Sequence, residues 1–304
     1  MIHKQGIEKH HNTCVTFGCF DGVHKGHKVV LEKLVDVANK RNLSSLVLSM
    51  YTPNENVLTS EAEKEYYFKK FQPDIMVSCE LTEKIKQMDA AYFVKSILIE
   101  QLGAKVIVVG EGCCFGEKLD GNLALLKRIA EDMGIQIVPC ETVMEGDRPI
   151  SAEILKSTLH DCDFESYMRM CGDHPYVMIG NIVHGKALGR TVGMPTANLN
   201  VCANKLIPPD GVYATISTVE GQEYQGLTNI GKRPSVDNFD LVTIETFLLD
   251  FAQDIYGKPF VLQIYFYIRG VIKFNNLSEV QNQVQKDLES ARIKLNTSVN
   301  YKVI

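Results

Sequence analysis

Two histidines stand close together near the start of the chain, in the segment FGCFDGVHKGH at residues 17–27. The glycines of this segment let the backbone turn sharply and approach a phosphate closely, and the free amides at the start of a following helix attract anions. His24 and His27 are about one helical turn apart, which places both imidazoles on one side of that turn. Nucleotidyl transfer needs such donors, because its nucleophile is already an anionic phosphate and the α-phosphate of the nucleotide must be stabilised. The segment predicts a nucleotide site, and a glycine-rich turn with two solvated histidines is the alternative.

A second glycine-rich segment, GNIVHGKALGRTVGMPTANLN at residues 180–200, is expected to form a strand, a loop and a further strand. Its glycines would let the backbone wrap a phosphate chain, and its arginine adds a fixed positive charge. Small barrels also place glycine at corners and bulges, so the spacing alone leaves a structural role open. The candidate phosphate-binding residues are Gly180, Gly185, Gly189 and Arg190.

A hydroxyl and a carboxamide end the same segment, at Thr196 and Asn198. Phosphoryl transfer uses Mg²⁺ to bridge nucleotide phosphates, and this hard cation takes oxygen ligands. Both side chains offer an oxygen without adding negative charge. They are therefore predicted to be magnesium ligands.

Glu245, in the predicted strand LVTIETFLLDF, is a candidate general base. Strand alternation places it on one face with Thr243 and Phe247, and places the intervening residues on the other face. A lone glutamate on a strand is more often simply exposed to solvent, so the residues alone leave that alternative open.

The elements that must position these residues change in kind along the chain. Up to about Pro139, β-branched runs such as SSLVLSM and AKVIVVG alternate with amphipathic stretches, which predicts a doubly wound α/β domain on a parallel sheet. Such sheets bind ligands at the carboxyl ends of their strands, and the histidine segment follows the first predicted strand, with a helix expected to begin near Lys28. Beyond residues 172–175, period-2 strands predict a small antiparallel barrel or sandwich followed by an amphipathic helix. We expect two domains, at residues 1–172 and 173–304.

The composition limits the classes of partner. At 304 residues the chain is long for one core, and its net charge of −5 gives no reason to expect nucleic acid or a membrane surface. The nine cysteines are an odd number, and the sequence shows neither a secretory start nor an apolar run long enough to span a bilayer. We expect reduced thiols, a cytoplasmic location, small-molecule substrates and a monomer or weak homo-oligomer.

The histidine segment closely resembles the signature of the HxGH nucleotidyltransferase superfamily, in the form found in bacterial bifunctional riboflavin kinase/FAD synthetases. The resemblance implies a Rossmann-like domain that uses ATP to adenylate FMN to FAD. Where that family has GxDFxFG and ISSTxIR, this chain has GEGCCFG and ISAEILK. A glutamate beside phosphates is repulsive, and a lysine does not reproduce the bidentate fork of an arginine. The resemblance implies catalytic roles for His24 and His27, and ATP contacts for Gly18, Phe20, Asp21, Gly22, Gly26, Ser151 and Lys156.

The tetrapeptide PTAN at residues 195–198, in its GRxxGxPTAN context, resembles the motif that marks riboflavin kinases. NIGKRPSV and ETFLLDFAQDIYG resemble further segments of that family, and the likeness to the bifunctional enzymes runs from about residue 13 to 292. It implies an all-β six-stranded barrel with a terminal helix, which phosphorylates riboflavin to FMN with ATP and Mg²⁺. The implied roles are magnesium ligation by Thr196 and Asn198, proton abstraction by Glu245, and flavin contact by Pro195, Asn229 and Arg233.

Three functional hypotheses follow from these motifs. The first is a bifunctional enzyme that makes FMN and then FAD. The second is a riboflavin kinase whose N-terminal domain has lost efficient adenylyl transfer, as ISAEILK and GEGCCFG favour. The third is a flavin-sensing regulator without catalysis, which would need neither a base nor magnesium ligands.

Overall fold

The computed structural model describes residues 1–117, 119–184, 195–233 and 241–299 of the chain. It divides into two compact units, Met1–Ala152 and Glu153–Ile304. Across these described ranges, no helix is long and apolar enough to cross a membrane.

The first unit is a parallel sheet with helices between its strands. Its strands are β1 (Ile2–Gln5), β2 (Thr13–Gly18), β3 (Ser44–Tyr51), β4 (Ile75–Glu80), β5 (Ala104–Gly110) and β6 (Gln136–Cys140). Its helices are α1 (Lys25–Arg41), α2 (Glu61–Phe68), α3 (Glu83–Lys86), α4 (Ala90–Tyr92), a π-helix (Phe93–Gln101) and α5 (Leu123–Met133). A hairpin of β7 (Met144–Glu145) and β8 (Arg148–Pro149) follows. Among the described residues the strand order is β1-β4-β3-β2-β5-β6, all parallel, which confirms the predicted doubly wound α/β domain.

The burial of the strands in the first unit explains why the sequence pattern predicts them. Central strands of a parallel sheet are covered on both faces and therefore form nearly continuous apolar runs. Phe17, near the end of β2, packs edge to face on Phe93 and Phe115, with ring centroids 5.4 and 5.5 Å apart. This buried aromatic cluster lies at the end of β2, directly before the loop that follows the strand.

Helix α1 begins at Lys25, ahead of the predicted start near Lys28. The reason is the cap: Nδ1 of His24 accepts a hydrogen bond from the backbone N–H of Gly26 at 3.1 Å. An imidazole thus takes the capping role that Ser, Thr, Asp or Asn usually fill.

The second unit is a closed antiparallel barrel with helices on either side of it in sequence. The helices are α6 (Ala152–His160), α7 (Phe164–Met170) and α8 (Leu277–Val299). The strands are β9 (Tyr176–Val183), β10 (Thr196–Val201), β11 (Gly211–Val219), β12 (Gln222–Arg233), β13 (Leu241–Leu248) and β14 (Pro259–Arg269). In the part of the chain that the structure describes they close in the order β10-β13-β12-β11-β14-β9, which confirms the barrel and its terminal helix.

Alternation along the barrel strands separates a buried interior from an outer face. The hydroxyls of Thr215, Thr228 and Thr246 form a hydrogen-bonded chain inside the barrel, with O···O distances of 3.0 and 2.9 Å. Helix α8 packs on the outer face, where Arg269 at the end of β14 donates three hydrogen bonds of 3.1, 2.9 and 2.7 Å to the carboxylate of Asp287 in the helix. These hydrogen bonds link neighbouring strands inside the barrel and tie α8 to its outer face.

Helix α7 packs on the barrel, although it precedes the domain limit predicted after residue 172. Tyr167 of α7 contacts Tyr176 of β9 edge to face at 5.4 Å, and Phe164 contacts Tyr213 of β11 at 5.6 Å. The compact units divide after Ala152, and the limits of the two functional domains stay a prediction.

Candidate active sites

A row of polar side chains crosses the outer face of three neighbouring barrel strands. Glu245 of β13 lies opposite Asn198 of β10 on one side and opposite Asn229 of β12 on the other. Residues paired in this way have Cβ atoms about 4.5–5.5 Å apart. The flanking residues Ile244 and Thr246 are buried, so the strand alternation predicted around Glu245 agrees with the structure.

Thr196 adds a hydroxyl to this row. It lies two residues before Asn198 on β10 and therefore on the same face. Its Oγ1 is 3.5 Å from Oε2 of Glu245. The three oxygen-bearing side chains that sequence singled out in the barrel, on Thr196, Asn198 and Glu245, are thus brought together at one place.

Each of the two residues in this contact lines a cleft. One has a volume of about 340 Å³ and is lined by Ile182, Pro195, Thr196, Ala197, Thr246, Leu248 and residues 251–256. The other has a volume of about 440 Å³ and is lined by Asp210, Asn229, Gly231, Lys232, Thr243, Glu245 and Val271. Both volumes lie in the range of small-molecule sites. Thr196 lines the first cleft and Glu245 lines the second, so the two clefts have lining residues in contact with each other.

Of the other site residues predicted in the barrel, the structure describes only some. Gly180 lies in β9 beside the β10 backbone, where an added Cβ would be 1.9 Å from the carbonyl oxygen of Asn200. That close approach already requires glycine there, and its phosphate contact stays a prediction. Gly185, Gly189 and Arg190, which were predicted to bind phosphate, lie outside the described residues, as does the side chain of Arg233, which was predicted to contact the flavin.

The loop after β2 holds the histidine segment in an uncommon backbone conformation. Phe20 and Val23 have φ angles of 49° and 36°, and Gly22 has φ of 86°. Non-glycine residues rarely adopt this region, and strained residues of this kind concentrate at functional sites. The loop leads from Gly18, at the carboxyl end of β2, to His24 at the start of α1.

The two imidazoles of the segment stack on each other. Their ring centroids are 3.8 Å apart with an angle of 23° between the planes. Nδ1 of His24 accepts the Gly26 N–H, so the neutral ring carries its proton on Nε2 and can donate from there. Nδ1 of His27 is buried and has no hydrogen-bond partner among the described residues. The pair therefore offers ring nitrogens that a ligand could use.

Burial keeps both imidazoles neutral. It lowers the pKa of His24 from an ordinary 6.5 to about 4. It also lowers the pKa of His27 well below 6.5, and the nearby charges of His24 and Lys64 act in the same direction. At neutral pH both rings act as uncharged hydrogen-bonding groups.

The low pKa of His24 predicts a loss of stability in acid. The unfolded chain takes up a proton on His24 near pH 6.5 and the folded chain near pH 4, so acidification between these values favours unfolding. The contribution of this group is on the order of 3 kcal/mol. Asparagine also caps helices, so His24→Asn should keep the cap and lose less unfolding free energy across this window. Urea unfolding at a series of pH values checks this, and equal losses in both proteins would contradict it.

The structure gives the surroundings of several other residues that were predicted to contact ATP. Phe20 is buried and packs on His27 and Phe68, so it supports the ring rather than facing solvent. Asp21 accepts a backbone N–H from the segment before α2. Ser151 directly precedes Ala152, the last residue of the first unit, and Lys156 belongs to α6. The ATP contacts of both residues stay predictions.

A third cleft, about 270 Å³ and mostly apolar, begins at the same loop. It is lined by Cys19, Met50, Leu81, Ile85, Lys86, Phe93, Cys114, Phe115, Gly116, Glu117 and Leu119. Cys19 directly follows Gly18, so the cleft opens at the carboxyl ends of the strands. The segment GEGCCFG, where the chain departs from the family pattern, supplies part of its wall.

Sequence reasoning missed a buried polar network beside the histidines. Nζ of Lys64, in α2, is buried and lies 2.7 Å from Glu61 Oε1 and 3.3 Å from Ser49 Oγ. Ser49 is the register partner of Gly18. The second oxygen of Glu61 accepts a hydrogen bond from Ser78 of β4. Three charged residues in LTSEAEK, at residues 58–64, suggest only a solvated helix, so no sequence pattern indicated this network.

Comparison with known proteins shows similarity along both units. Residues 172–295 match the family model described as riboflavin kinase, and residues 6–154 match the model described as FAD synthetase. The bifunctional riboflavin kinase/FMN adenylyltransferase of Haemophilus influenzae is 30% identical over 293 residues, which cover 93% of this chain and 94% of that one. The protein of the same description from Escherichia coli K12 is 31% identical over 301 residues, or 96% and 95% of the two chains.

A solved structure is similar over nearly the same length. A crystal structure described as a macrolide-efflux protein from Streptococcus pneumoniae superposes with a TM-score of 0.84 at 25% identity. The match covers 96% of this chain and 99% of that one. The fold of both units is therefore shared with that structure over nearly the whole chain.

Proposed function

The chain belongs to the bifunctional riboflavin kinase/FMN adenylyltransferase family, and on that premise we propose that it makes FMN in its barrel and FAD at its parallel sheet. The first reaction converts riboflavin and ATP to FMN and ADP. The second converts FMN and ATP to FAD and pyrophosphate.

The contact between Thr196 and Glu245 carries the first half of the proposal. A hydroxyl that lines one cleft of suitable size lies 3.5 Å from a carboxylate that lines another. We assign ATP to the cleft of Thr196, next to the glycine-rich segment, and riboflavin to the cleft of Glu245 and Asn229. Pro195 lines the ATP cleft in this assignment, and its flavin contact stays a prediction.

Glu245 acts as the base in this arrangement. It removes the proton of the riboflavin 5′-hydroxyl as the oxygen attacks the γ-phosphorus. The new O–P bond forms while the bond from the γ-phosphorus to the bridging oxygen breaks, and ADP leaves with that electron pair. Asn229, opposite Glu245 on β12, lines the same cleft and contacts the polar part of riboflavin in this assignment.

The oxygens of this row also suit a hard cation. Thr196 Oγ1 and the carboxamide oxygen of Asn198 would hold Mg²⁺, which when bound offsets the charge of the triphosphate. Both are neutral ligands on one face of β10, with one carboxylate beside them. The donor set is therefore compatible with magnesium.

Thr196→Val should raise the magnesium concentration needed for half-maximal FMN formation by at least about tenfold, because valine keeps the shape and removes the ligand oxygen. FAD formation from supplied FMN should not change. Magnesium titrations of both reactions check this, with Thr218→Val on β11 as the control, since that threonine lines neither cleft. An unchanged magnesium requirement in Thr196→Val would remove the hydroxyl from the metal site.

The histidine pair supports the second half of the proposal. A phosphate oxygen of FMN attacks the α-phosphorus of ATP, and pyrophosphate leaves with the electrons of the broken bond. Nε2–H of His24 is free to donate, because its Nδ1 is occupied as an acceptor. The neutral ring of His27 is stacked on His24. Its ring N–H would donate a second hydrogen bond to the α-phosphate oxygen, on which negative charge develops.

The apolar cleft at the end of β2 is suited to the flavin ring of FMN. Phe93 and Phe115 line it together with Met50 and Leu81, and such side chains bind flat aromatic ligands. Because the cleft begins at Cys19, its occupant would extend toward the histidines. The phosphate of FMN would then face the nucleotide site.

A second candidate function rests on the substitutions in the segment ISAEILK at residues 150–156. Glu153 and Lys156 stand where the family has a hydroxyl and an arginine, and both changes weaken phosphate binding. On that basis the chain would be a riboflavin kinase that binds nucleotide at its sheet without efficient adenylyl transfer.

One assay separates these functions. The full chain is incubated with riboflavin, ATP and Mg²⁺, and the flavins are resolved by chromatography. FAD accumulation is the expected result, and FMN alone would support the second candidate. Unchanged riboflavin would contradict both and leave a flavin-binding regulator.

The proposal also covers the cellular location, the partners and the oligomeric state of the protein. An odd number of cysteines suits a reducing cytoplasm. The net charge of −5 gives no support for a nucleic-acid partner. We infer small-molecule substrates and a monomer or weak homo-oligomer.

A further inference from the structure

Thr59, which precedes α2, makes two hydrogen bonds to the loop that carries the histidines. Its backbone N–H donates to Oδ1 of Asp21 at 2.9 Å, and its Oγ1 accepts from the backbone N–H of Gly22 at 2.7 Å. Thr59 is only 2% exposed, and Gly22 is buried as well. Water therefore cannot readily replace either bond.

The loop needs an external hold of this kind. Phe20 and Val23 both have positive φ, and for a β-branched residue such as Val23 this is a clear outlier. A strained backbone persists only when its surroundings fix it. The two bonds from Thr59 reach Asp21 and Gly22, between the two strained residues.

Thr59 is itself firmly anchored. The next residue, Ser60, caps α2, and its backbone N–H donates to Oε2 of Glu63 at 2.7 Å while its Oγ accepts the Glu63 N–H at 3.4 Å. This reciprocal pair is a capping box, which fixes the start of a helix. Through Thr59 the loop is therefore hydrogen-bonded to a segment that the start of α2 holds in place.

We propose that Thr59 is a positioning residue for adenylyl transfer, because its two bonds to Asp21 and Gly22 hold the strained loop that sets where His24 and His27 stand. The inference rests on the adenylyltransferase half of the proposed function. Val23 is bonded directly to His24, so any relaxation of the loop moves the capping imidazole and the ring stacked on it. Thr59 itself need not touch either substrate.

Thr59→Val tests the clamp, because valine has the shape of threonine without the acceptor oxygen. We expect kcat for FAD formation from FMN to fall about 10- to 100-fold, since a misplacement of about 1 Å can cost this much, while KM for FMN and ATP changes less than about threefold. Thr59→Ser keeps the oxygen and should restore most of kcat. FMN formation in the barrel should stay unchanged in both variants.

Thr82→Val is the matched control, since Thr82 also precedes a helix of the same unit but its side chain makes no capping bond. It should retain the kcat of the unchanged protein. If Thr59→Val does not fold, Asp21→Ala removes the acceptor of the Thr59 N–H and should give the same fall in kcat. Full FAD formation by Thr59→Val, or no recovery in Thr59→Ser, would overturn the inference.

A second measurement separates this inference from the proposed function. The ring ¹⁵N and ¹H signals of His24 and His27 report their surroundings whether or not the chain makes FAD. They should shift in Thr59→Val and not in Thr82→Val. Unchanged signals would overturn the role of Thr59, whereas a chain that shows the shift but makes only FMN would contradict the adenylyltransferase proposal alone.

Discussion

Replacement of Glu245 by glutamine should slow FMN formation by a factor on the order of 10² to 10⁴, the usual contribution of a general base. Glutamine has nearly the same shape but cannot take a proton from the riboflavin hydroxyl. Its amide can still contact Thr196, which lies 3.5 Å from the carboxylate, so riboflavin affinity should change little. Initial rates from flavin chromatography and a riboflavin titration followed by fluorescence give the two quantities.

The control for this change is Glu223→Gln. Glu223 is an exposed carboxylate on the neighbouring strand β12, outside both clefts. It should leave FMN formation unaltered. Turnover close to normal in Glu245→Gln would remove the carboxylate from its catalytic role.

Substitution of His27 by alanine should abolish FAD formation, with a loss of at least about 10²-fold, the effect of removing one donor from a site that stabilises growing charge. The change removes a buried ring that stacks on His24 at 3.8 Å, so it also takes away the support of the second imidazole. FMN formation should continue, because the barrel that carries Glu245 is a separate compact unit. Supplying FMN and riboflavin in separate assays measures the two reactions independently.

His11→Ala is the comparison for this variant, because His11 is an exposed histidine of the same unit outside the loop after β2. It should retain both reactions. A parallel loss of FMN and FAD formation in His27→Ala would contradict the assignment of the two reactions to separate sites.

The fold could largely be predicted because its elements leave regular patterns in the sequence. Buried parallel strands such as β3 and β5 appear as apolar runs, and the barrel strands alternate with a period of two. Strand β4 was not predicted, because the uninterrupted apolar run in IMVSCE is only three residues long. The start of α1 was placed too late because a histidine side chain rarely caps a helix.

The candidate sites were predicted as residue types but not as an arrangement. The alternation of β13 placed Glu245 correctly on its face. Its alignment with Asn198 and Asn229 depends on strand register, which local patterns do not reveal. The same holds for Thr59, whose bonds to the loop join residues 37 and 38 positions apart.

The central claim is that riboflavin and ATP meet at Glu245, and the most direct test is a crystal structure of the full chain with riboflavin, Mg²⁺ and a non-hydrolysable ATP analogue. We expect a carboxylate oxygen of Glu245 within hydrogen-bond distance of the riboflavin 5′-hydroxyl, and Thr196 and Asn198 beside the cation that contacts the terminal phosphate. A Glu245 side chain directed away from the hydroxyl, with Thr196 and Asn198 remote from the cation, would contradict the account.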